Sequence, residues 1–392
     1  MTGGGSSGHI SPALAIVLTI DEMAAQPDCD WTPQYLYLGG KRGLEKSQAE
    51  AAGLRFVGVE TGKLRRYFSR ENFVDALRVP VGVLQSLREV KRFAPDVVLA
   101  TGGYVAVPPV LAAATLRIPI LIHEQTTQIG LANRITGRFA TRIALSWDES
   151  LHDLTPSLRD KAFVAGNPVR PQIFNGDAIR AKNWAGFADE DDDLPTIYVT
   201  GGSQGARILN RKTERVLEEL LMHAKIVHQC GEQPAGGEQD FDVLQSAKQK
   251  LSSQLQRRYF VTRFVRDEIN DVFALADLIV SRAGASTINE VCALGKAALY
   301  IPLVPTGGDE QTKNARVCNQ IGAAVIVKQS DLSNENGAQI LRDRVLELLQ
   351  DRAKLQKMGE SAKTLAKPDA AKIVAQAVIG LATQRTLSVS DG

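Results

Sequence analysis

The sequence predicts an α/β protein built as two doubly wound parallel-sheet domains, on three observations. Short β-branched apolar runs alternate with longer helix-patterned stretches, glycines directly follow several of those runs, and the chain has 392 residues. That length exceeds one ordinary core and suits two domains of roughly 150–200 residues each.

The runs Asp96–Ala100, Pro119–Ile122, Thr196–Thr200, Leu278–Ser281 and Ala298–Ile301 have the unbroken apolar character of strands buried on both faces. Helical patterns between them give βα units. Glycines stand after three of the runs, at Thr101-Gly102-Gly103, Gly201-Gly202 and Arg282-Ala283-Gly284. Ligands of open α/β sheets bind beyond the carboxyl ends of strands, so these glycines mark the expected active edge. Gly166-Asn167-Pro168-Val169-Arg170-Pro171 closes the first half, and the acidic stretch Asp189–Asp193 reads as a solvated linker, since it precedes its strand rather than following it. An alanine-rich helix is expected from about Pro368 to Thr383. The chain opens Met1-Thr2-Gly3-Gly4-Gly5, a glycine-rich loop with no room before it for the usual strand. Either that first strand is absent or the loop is built differently.

Composition narrows the class. An apolar fraction of 44% and a charged fraction of 23% are those of a globular domain protein. The near-balanced net charge of +2 argues against a general nucleic-acid binder. Cys29, Cys230, Cys292 and Cys318 lack CxxC spacing and read as reduced thiols, not as a zinc site or disulfide framework. Neither a signal peptide nor an apolar run long enough to span a bilayer is expected.

Candidate chemistry lies in the loops. Gly3-Gly4-Gly5-Ser6-Ser7-Gly8-His9 precedes a helical pattern, where small residues and a helix start can receive an anion. His9 is either a general base for a hydroxyl or a helix-capping histidine. Gly102-Gly103-Tyr104 is a second loop. In His123-Glu124-Gln125-Thr126, Glu124 either positions an acceptor or base, or forms a buried pair with His123. Ser203, in Gly201-Gly202-Ser203-Gln204-Gly205, suits a phosphate oxygen, and Arg170 can neutralise the same group or pair with a surface acid. Glu290, in Ala285-Ser286-Thr287-Ile288-Asn289-Glu290, can accept two ribose hydroxyls or simply answer the helix dipole. Gln311 follows the strand at Ala298–Ile301 and can read sugar hydroxyls.

Taken in order, GGGSSGHISP, GGYVAVP, HEQ, GNPVR, GGSQGARILN, RAGASTINE and DEQTKNA resemble the MurG family of UDP-N-acetylglucosamine transferases, from Gly3 to Pro368-Asp369-Ala370. The resemblance implies the GT-B fold, two Rossmann-like domains facing across a cleft. Residues 1–168 would form an acceptor- and membrane-side domain, with the helix of about 368–392 packing back on it, and 169–367 a UDP-sugar domain. The implied reaction moves N-acetylglucosamine from UDP-GlcNAc to the undecaprenyl-diphosphate-linked muramoyl-pentapeptide (lipid I), giving lipid II. Implied roles are the diphosphate and acceptor loop for Ser6, Ser7, Gly8 and His9, with His9 the base. Gly103 and Tyr104 fall on a second acceptor loop, and Arg170 and Ser203 on the donor diphosphate. The Val265 backbone meets uracil, Ala285 to Glu290 line the donor pocket with Glu290 on ribose, and Gln311 meets the donor sugar. Besides the short start, two residues depart from the family pattern: Ser7 replaces a usual glycine, and Thr126 replaces a usual asparagine and loses the amide's paired donor and acceptor.

Displacement at the sugar would invert the linkage, with UDP leaving from amide dipoles, Ser203 and Arg170. No DxD motif follows a strand, so neither a cofactor nor an obligatory metal is expected. Leu77, Val79, Val83 and Leu84 near Lys63, Arg65, Arg66, Arg70 and Arg78 read either as a membrane-docking patch or as helix core with solvated charges. The expected location is peripheral, on the cytoplasmic side of the inner membrane, where other cell-wall synthesis proteins are possible partners. The rival readings are a UDP-sugar 2-epimerase of the same fold and a catalytically weak UDP-sugar-binding relative.

Overall fold

In a computed structural model, the chain divides into two compact units, residues 1–170 with 367–392, and residues 171–366. The structure describes all residues except Ser6, Arg42, Leu44, 63–70, 188–192, 233–238, 305–308 and 391–392, and describes only the backbone of Ser7, 71–77 and 386–390. Ser6, most of the acidic stretch and Lys63, Arg65, Arg66 and Arg70 therefore lie outside the described residues, and so does the side chain of Leu77.

The first unit carries strands β1 (Leu36–Gly40), β2 (Arg55–Val59), β3 (Val98–Ala100), β4 (Ile120–Glu124), β5 (Arg142–Leu145) and β6 (Ala162–Val164). All pairings are parallel, β1 with β2, and β3 through β6 in sequence. Thr2 joins the two groups, bridging in parallel to Leu38 of β1 and to Ala100 of β3. Its amide donates to the Leu99 carbonyl at 2.9 Å, its carbonyl accepts from Thr101 at 2.9 Å, and the Met1 carbonyl accepts from Leu38 at 2.9 Å. The strand expected to be missing is thus present as a two-residue stub, and the spatial order with the stub as strand one is 3-2-1-4-5-6-7. The reversal of direction falls beside the stub, where ligands of such sheets bind.

Alternate residues of the central strands face opposite layers, as the two-residue period of a strand requires. Val98, Ala100, Ile120, Ile122, Ile143 and Leu145 pack on one face with Val110, Ala112 and Ala113 of the helix Val107–Thr115. Leu99, Leu121 and Ala144 pack on the other with Ile16 and Ile20 of the helix Ser7–Ala24 and with Val374, Ala375, Val378 and Leu381 of the last helix, Ala370–Ser390.

The second unit has β7 (Thr196–Thr200), β8 (Lys225–Gln229), β9 (Tyr259–Thr262), β10 (Leu278–Ser281), β11 (Ala297–Tyr300) and β12 (Ala324–Ile326). They form one parallel sheet in the order β12-β11-β10-β7-β8-β9. Its reversal lies between β7 and β10. Under the sheet, His228 is fully buried, with Nδ1 2.9 Å from the Tyr259 hydroxyl and Nε2 3.0 Å from Asn210 Oδ1. Asn210 in turn donates to Asp240 at 2.8 Å, which anchors the helix Arg207–Arg215 behind the loop Gly201–Ala206.

Two predictions follow from these cores. Proline at Thr2 removes the amide that holds Leu99. It should lower stability by about 2–3 kcal/mol, the cost of a lost strand bond with a buried carbonyl left unpaired, read as a fall in thermal midpoint. The second concerns acid. Burial pushes His228 down to about 3 and His123 down to about 4. The unfolded chain binds these protons below about pH 6.5 while the folded chain refuses them, so stability falls as pH drops from 6.5 toward 4. At pH 5 each should have cost about 2 kcal/mol. Denaturant titrations of His228→Gln should show a shallower acid slope; an unchanged slope removes His228 from the account.

Candidate active site

At the carboxyl edge of the first sheet, three loops meet around His9. The stub feeds Gly3-Gly4-Gly5, β3 feeds Thr101-Gly102-Gly103-Tyr104, and β4 feeds Gln125-Thr126. His9 lies in the first turns of the helix Ser7–Ala24, half-buried. Its Nδ1 is 2.7 Å from Gln125 Oε1 and 3.1 Å from the Thr101 carbonyl. The Thr101 hydroxyl donates to the His9 carbonyl at 2.6 Å, so the strand end and the helix start are tied together.

The glycines here answer a steric demand. Gly102 and Gly103 take φ of 94° and 79°. A Cβ on Gly103 would lie 2.0 Å from the Gly4 carbonyl oxygen and 3.1 Å from the His9 ring, and one on Gly102 3.3 Å from His9 Nδ1. Only glycine allows this approach. Tyr104 lies alongside Gly5, whose hypothetical Cβ would stand 2.7 Å from its ring.

Glu124 lies at the end of β4. It is 3% exposed and makes no bond to His9 or His123. Its Oε1 accepts from the Thr126 amide at 3.1 Å and the Thr126 hydroxyl at 2.8 Å. Oε2 accepts from the Gly130 amide and from Asn133 Nδ2, both at 2.9 Å. The carboxylate is therefore saturated and shapes the segment from Thr126 to Asn133. The Thr126 hydroxyl shares its proton between Glu124 and the Gln128 carbonyl at 2.7 Å, so the threonine serves inside the loop. His123 is also turned inward, with Nε2 3.0 Å from the Gly166 carbonyl. The residue that reaches His9 is Gln125, which sequence reasoning missed.

In the second unit the expected donor residues follow neighbouring strands. The amide of Gln229, at the end of β8, ties two of their loops. Its Nε2 donates to Thr200 Oγ1 and to the Gly202 carbonyl, each at 3.1 Å. Its Oε1 accepts from the Val265 amide at 2.9 Å. Val265 is buried, and its amide is taken by Gln229. Ser203 sits in the turn of this glycine loop, and its carbonyl accepts from Glu232 at 3.2 Å. Gly205, at φ 72°, passes so close to the Cys230 carbonyl that a Cβ would come within 2.0 Å.

After β10 the helix Ala285–Leu294 begins behind Gly284, which has no side chain to cap it. The amides of Ala285, Ser286 and Thr287 lack intrahelical partners, and Ser286 Oγ is buried without a hydrogen bond. Such a helix start attracts an anion. Ile288 is fully buried and its amide bonds the Gly284 carbonyl at 3.0 Å, which secures the start of the helix. Asn289 Nδ2 bonds the Ala285 carbonyl at 2.8 Å, and Glu290 lies one residue on. Gln311 Oε1 accepts from the Leu303 amide at 2.9 Å, fixing the turn after β11. Arg282, also missed, donates to the Ile301 carbonyl at 3.0 Å, with burial pulling its guanidinium down to about 10. Arg170 closes the first unit, its Nε buried without a partner. The apolar patch is revised: Val79 and Val83 are half-buried, and Val81 and Leu84, 46% and 68% exposed, are the outward residues of the helix Glu71–Phe93.

These loops are those of known sugar transferases. The glycosyltransferase family 28 N-terminal domain matches residues 1–145, and the family 28 C-terminal domain matches residues 196–374. A protein of Treponema denticola called UDP-N-acetylglucosamine--N-acetylmuramyl-(pentapeptide) pyrophosphoryl-undecaprenol N-acetylglucosamine transferase is 34% identical, over 95% of this chain and 95% of its own length. A Clostridium botulinum protein of the same name is 32% identical over 86% of this chain and 87% of its own. The crystal structure of Acinetobacter baumannii MurG superposes with a TM-score of 0.69 at 27% identity, covering 97% of this chain and 98% of that one. With two doubly wound parallel-sheet units and relatives of this likeness along almost its whole length, the chain has the GT-B fold and belongs to glycosyltransferase family 28, in its MurG group.

Proposed function

We propose that this chain transfers N-acetylglucosamine from UDP-GlcNAc to the muramoyl 4-hydroxyl of undecaprenyl-diphosphate-linked MurNAc-pentapeptide, converting lipid I to lipid II in peptidoglycan synthesis. The observation that carries the reading is His9, held at the reversal of the first sheet by the Thr101 and Gln125 oxygens, in a chain whose relatives bear that transferase name.

In this reading the first unit binds the acceptor. Gly8, the pair Gly103 and Tyr104, and the loop shaped by Glu124 and Thr126 surround the hydroxyl. His9 takes its proton as the oxygen attacks the anomeric carbon. The second unit binds the donor. Ser203 and the amides at the start of the helix Ala285–Leu294 hold the diphosphate, so that UDP departs with its charge matched by fixed dipoles. Val265 reads uracil through its carbonyl, Glu290 the ribose, and Gln311 the sugar. Attack opposite the leaving group inverts the anomeric centre. Glu124 is a positioning residue, since four protein donors already occupy its oxygens.

A lipid-linked acceptor supports a peripheral location at the cytoplasmic face of the membrane. Arg78, Val81, Leu84 and Arg88 are exposed and recur at three- and four-residue spacing along the helix Glu71–Phe93, a basic and apolar stripe suited to anionic lipid.

His9→Ala should cut kcat by about 10²–10⁴ with UDP-GlcNAc binding retained, since general-base catalysis has that worth; wild-type turnover in this variant removes His9 as base. Gly103→Ala forces a Cβ onto the Gly4 carbonyl at a positive φ and should abolish transfer while donor binding, measured by calorimetry, persists. Leu84→Glu with Arg88→Glu should weaken co-sedimentation with anionic vesicles several-fold; undiminished binding would show that this helix is not the docking face.

A further inference from the structure

We propose that Gln125 is a positioning residue that selects the tautomer of His9, keeping its proton on Nδ1 and leaving Nε2 as the nitrogen with the free lone pair. This rests on His9 being the base. Both atoms facing His9 Nδ1, Gln125 Oε1 at 2.7 Å and the Thr101 carbonyl at 3.1 Å, are acceptors with no proton to give. Nδ1 must therefore be the donor. The orientation of the Gln125 amide is fixed as well. Its Nε2 donates to the same Thr101 carbonyl, and turning the amide over would set Oε1 against that oxygen. Gln125 is 2% exposed, and its own carbonyl accepts from Trp147 Nε1 at 3.2 Å, so the side chain starts from an anchored backbone.

A glutamine at this place orients the ring without charging it. A carboxylate against Nδ1 would favour the imidazolium and deplete the form that can accept a proton. The neighbouring Glu124 is kept from that role, its oxygens facing Thr126, Gly130 and Asn133. The chain thus sets an uncharged amide on the base and spends the adjacent charge on the loop. When the acceptor proton reaches Nε2, the Nδ1–H bonds to Gln125 and Thr101 remain in place and steady the cation, so no group has to reorganise during the transfer.

Long-range 1H–15N spectra of the ligand-free wild type should show His9 protonated at Nδ1; a proton on Nε2 overturns the proposal directly. In Gln125→Met the tautomers should mix, kcat should fall about 10–100-fold, and KM for UDP-GlcNAc should stay within about twofold, as expected for loss of an oriented base. In Gln125→Glu the acid limb of the kcat/KM profile should move to higher pH by about one unit or more. This variant also tests the idea should Gln125→Met fail to fold, judged by its circular dichroism and melting. An inactive His9→Ala beside a Gln125→Met of wild-type kcat and unmoved tautomer would sink this inference and leave the base standing. A fully active His9→Ala would sink the base assignment, and the inference with it.

Discussion

The first unit is joined at its centre by the backbone of two residues. Thr2 is the only connection in the sheet ladder between β1–β2 and β3–β6 among the described residues, and three backbone bonds around Met1 and Thr2, each 2.9 Å, make it. Everything at the candidate site hangs from that stub. It fixes where Gly3-Gly4-Gly5 leaves the sheet, hence where the following helix begins and where His9 stands. The same Thr101 whose amide closes the stub offers its carbonyl to His9 and Gln125 and its hydroxyl to the His9 backbone. The stability of the sheet and the placement of His9 are one set of hydrogen bonds.

Much of this was legible because it is local. Buried parallel strands announce themselves as apolar runs, and the glycines after them mark the turns at the sheet edge. The second sheet then places Val265, Ser203, Ala285 and Gln311 on the loops after β9, β7, β10 and β11, all at one edge. The stub was illegible for a physical reason: two residues contain no period, and Met1-Thr2 becomes a strand only through partners at Leu38 and Leu99. The roles within His-Glu-Gln were illegible for another. At a strand end, successive side chains point to opposite sides, so a carboxylate and an amide one residue apart exchange environments with a single step of register. Chemistry alone left Glu124 between positioning an acceptor or base and pairing with His123. The geometry delivers Gln125, because Asn133 and the Gly130 amide draw the carboxylate away.

Ile288 and Val265 teach the same lesson in the second unit. Each lies inside a motif whose neighbours carry ligand-binding chemistry, and each is buried. Spacing identifies such a motif as a whole but does not divide it into residues that touch a ligand and residues that hold the loop. That division depends on which amides the helix or a side chain has already consumed. Ile288 has spent its amide on Gly284, and Val265 has spent its amide on Gln229, while Ala285, Ser286 and Thr287 remain at the open end of the helix.

The two units share a strand order and a dependence on glycine at the reversal, yet use them for opposite electrostatic ends. In the second, the first-turn amides of the helix Ala285–Leu294 have no helical partners, the arrangement that accepts negative charge. In the first, amides and side-chain donors turn inward onto Glu124, and the histidine beside it meets only neutral carbonyl oxygens. A proton acceptor must keep a free lone pair, whereas a diphosphate site must supply positive potential. One sheet edge meets both needs because the fold sets only where loops emerge. The character of each site follows from which way the N–H groups of its loops are turned, and single residues set that: the Glu124 carboxylate, which gathers them in, and Gly284, which has no side chain to cap the helix that begins at Ala285.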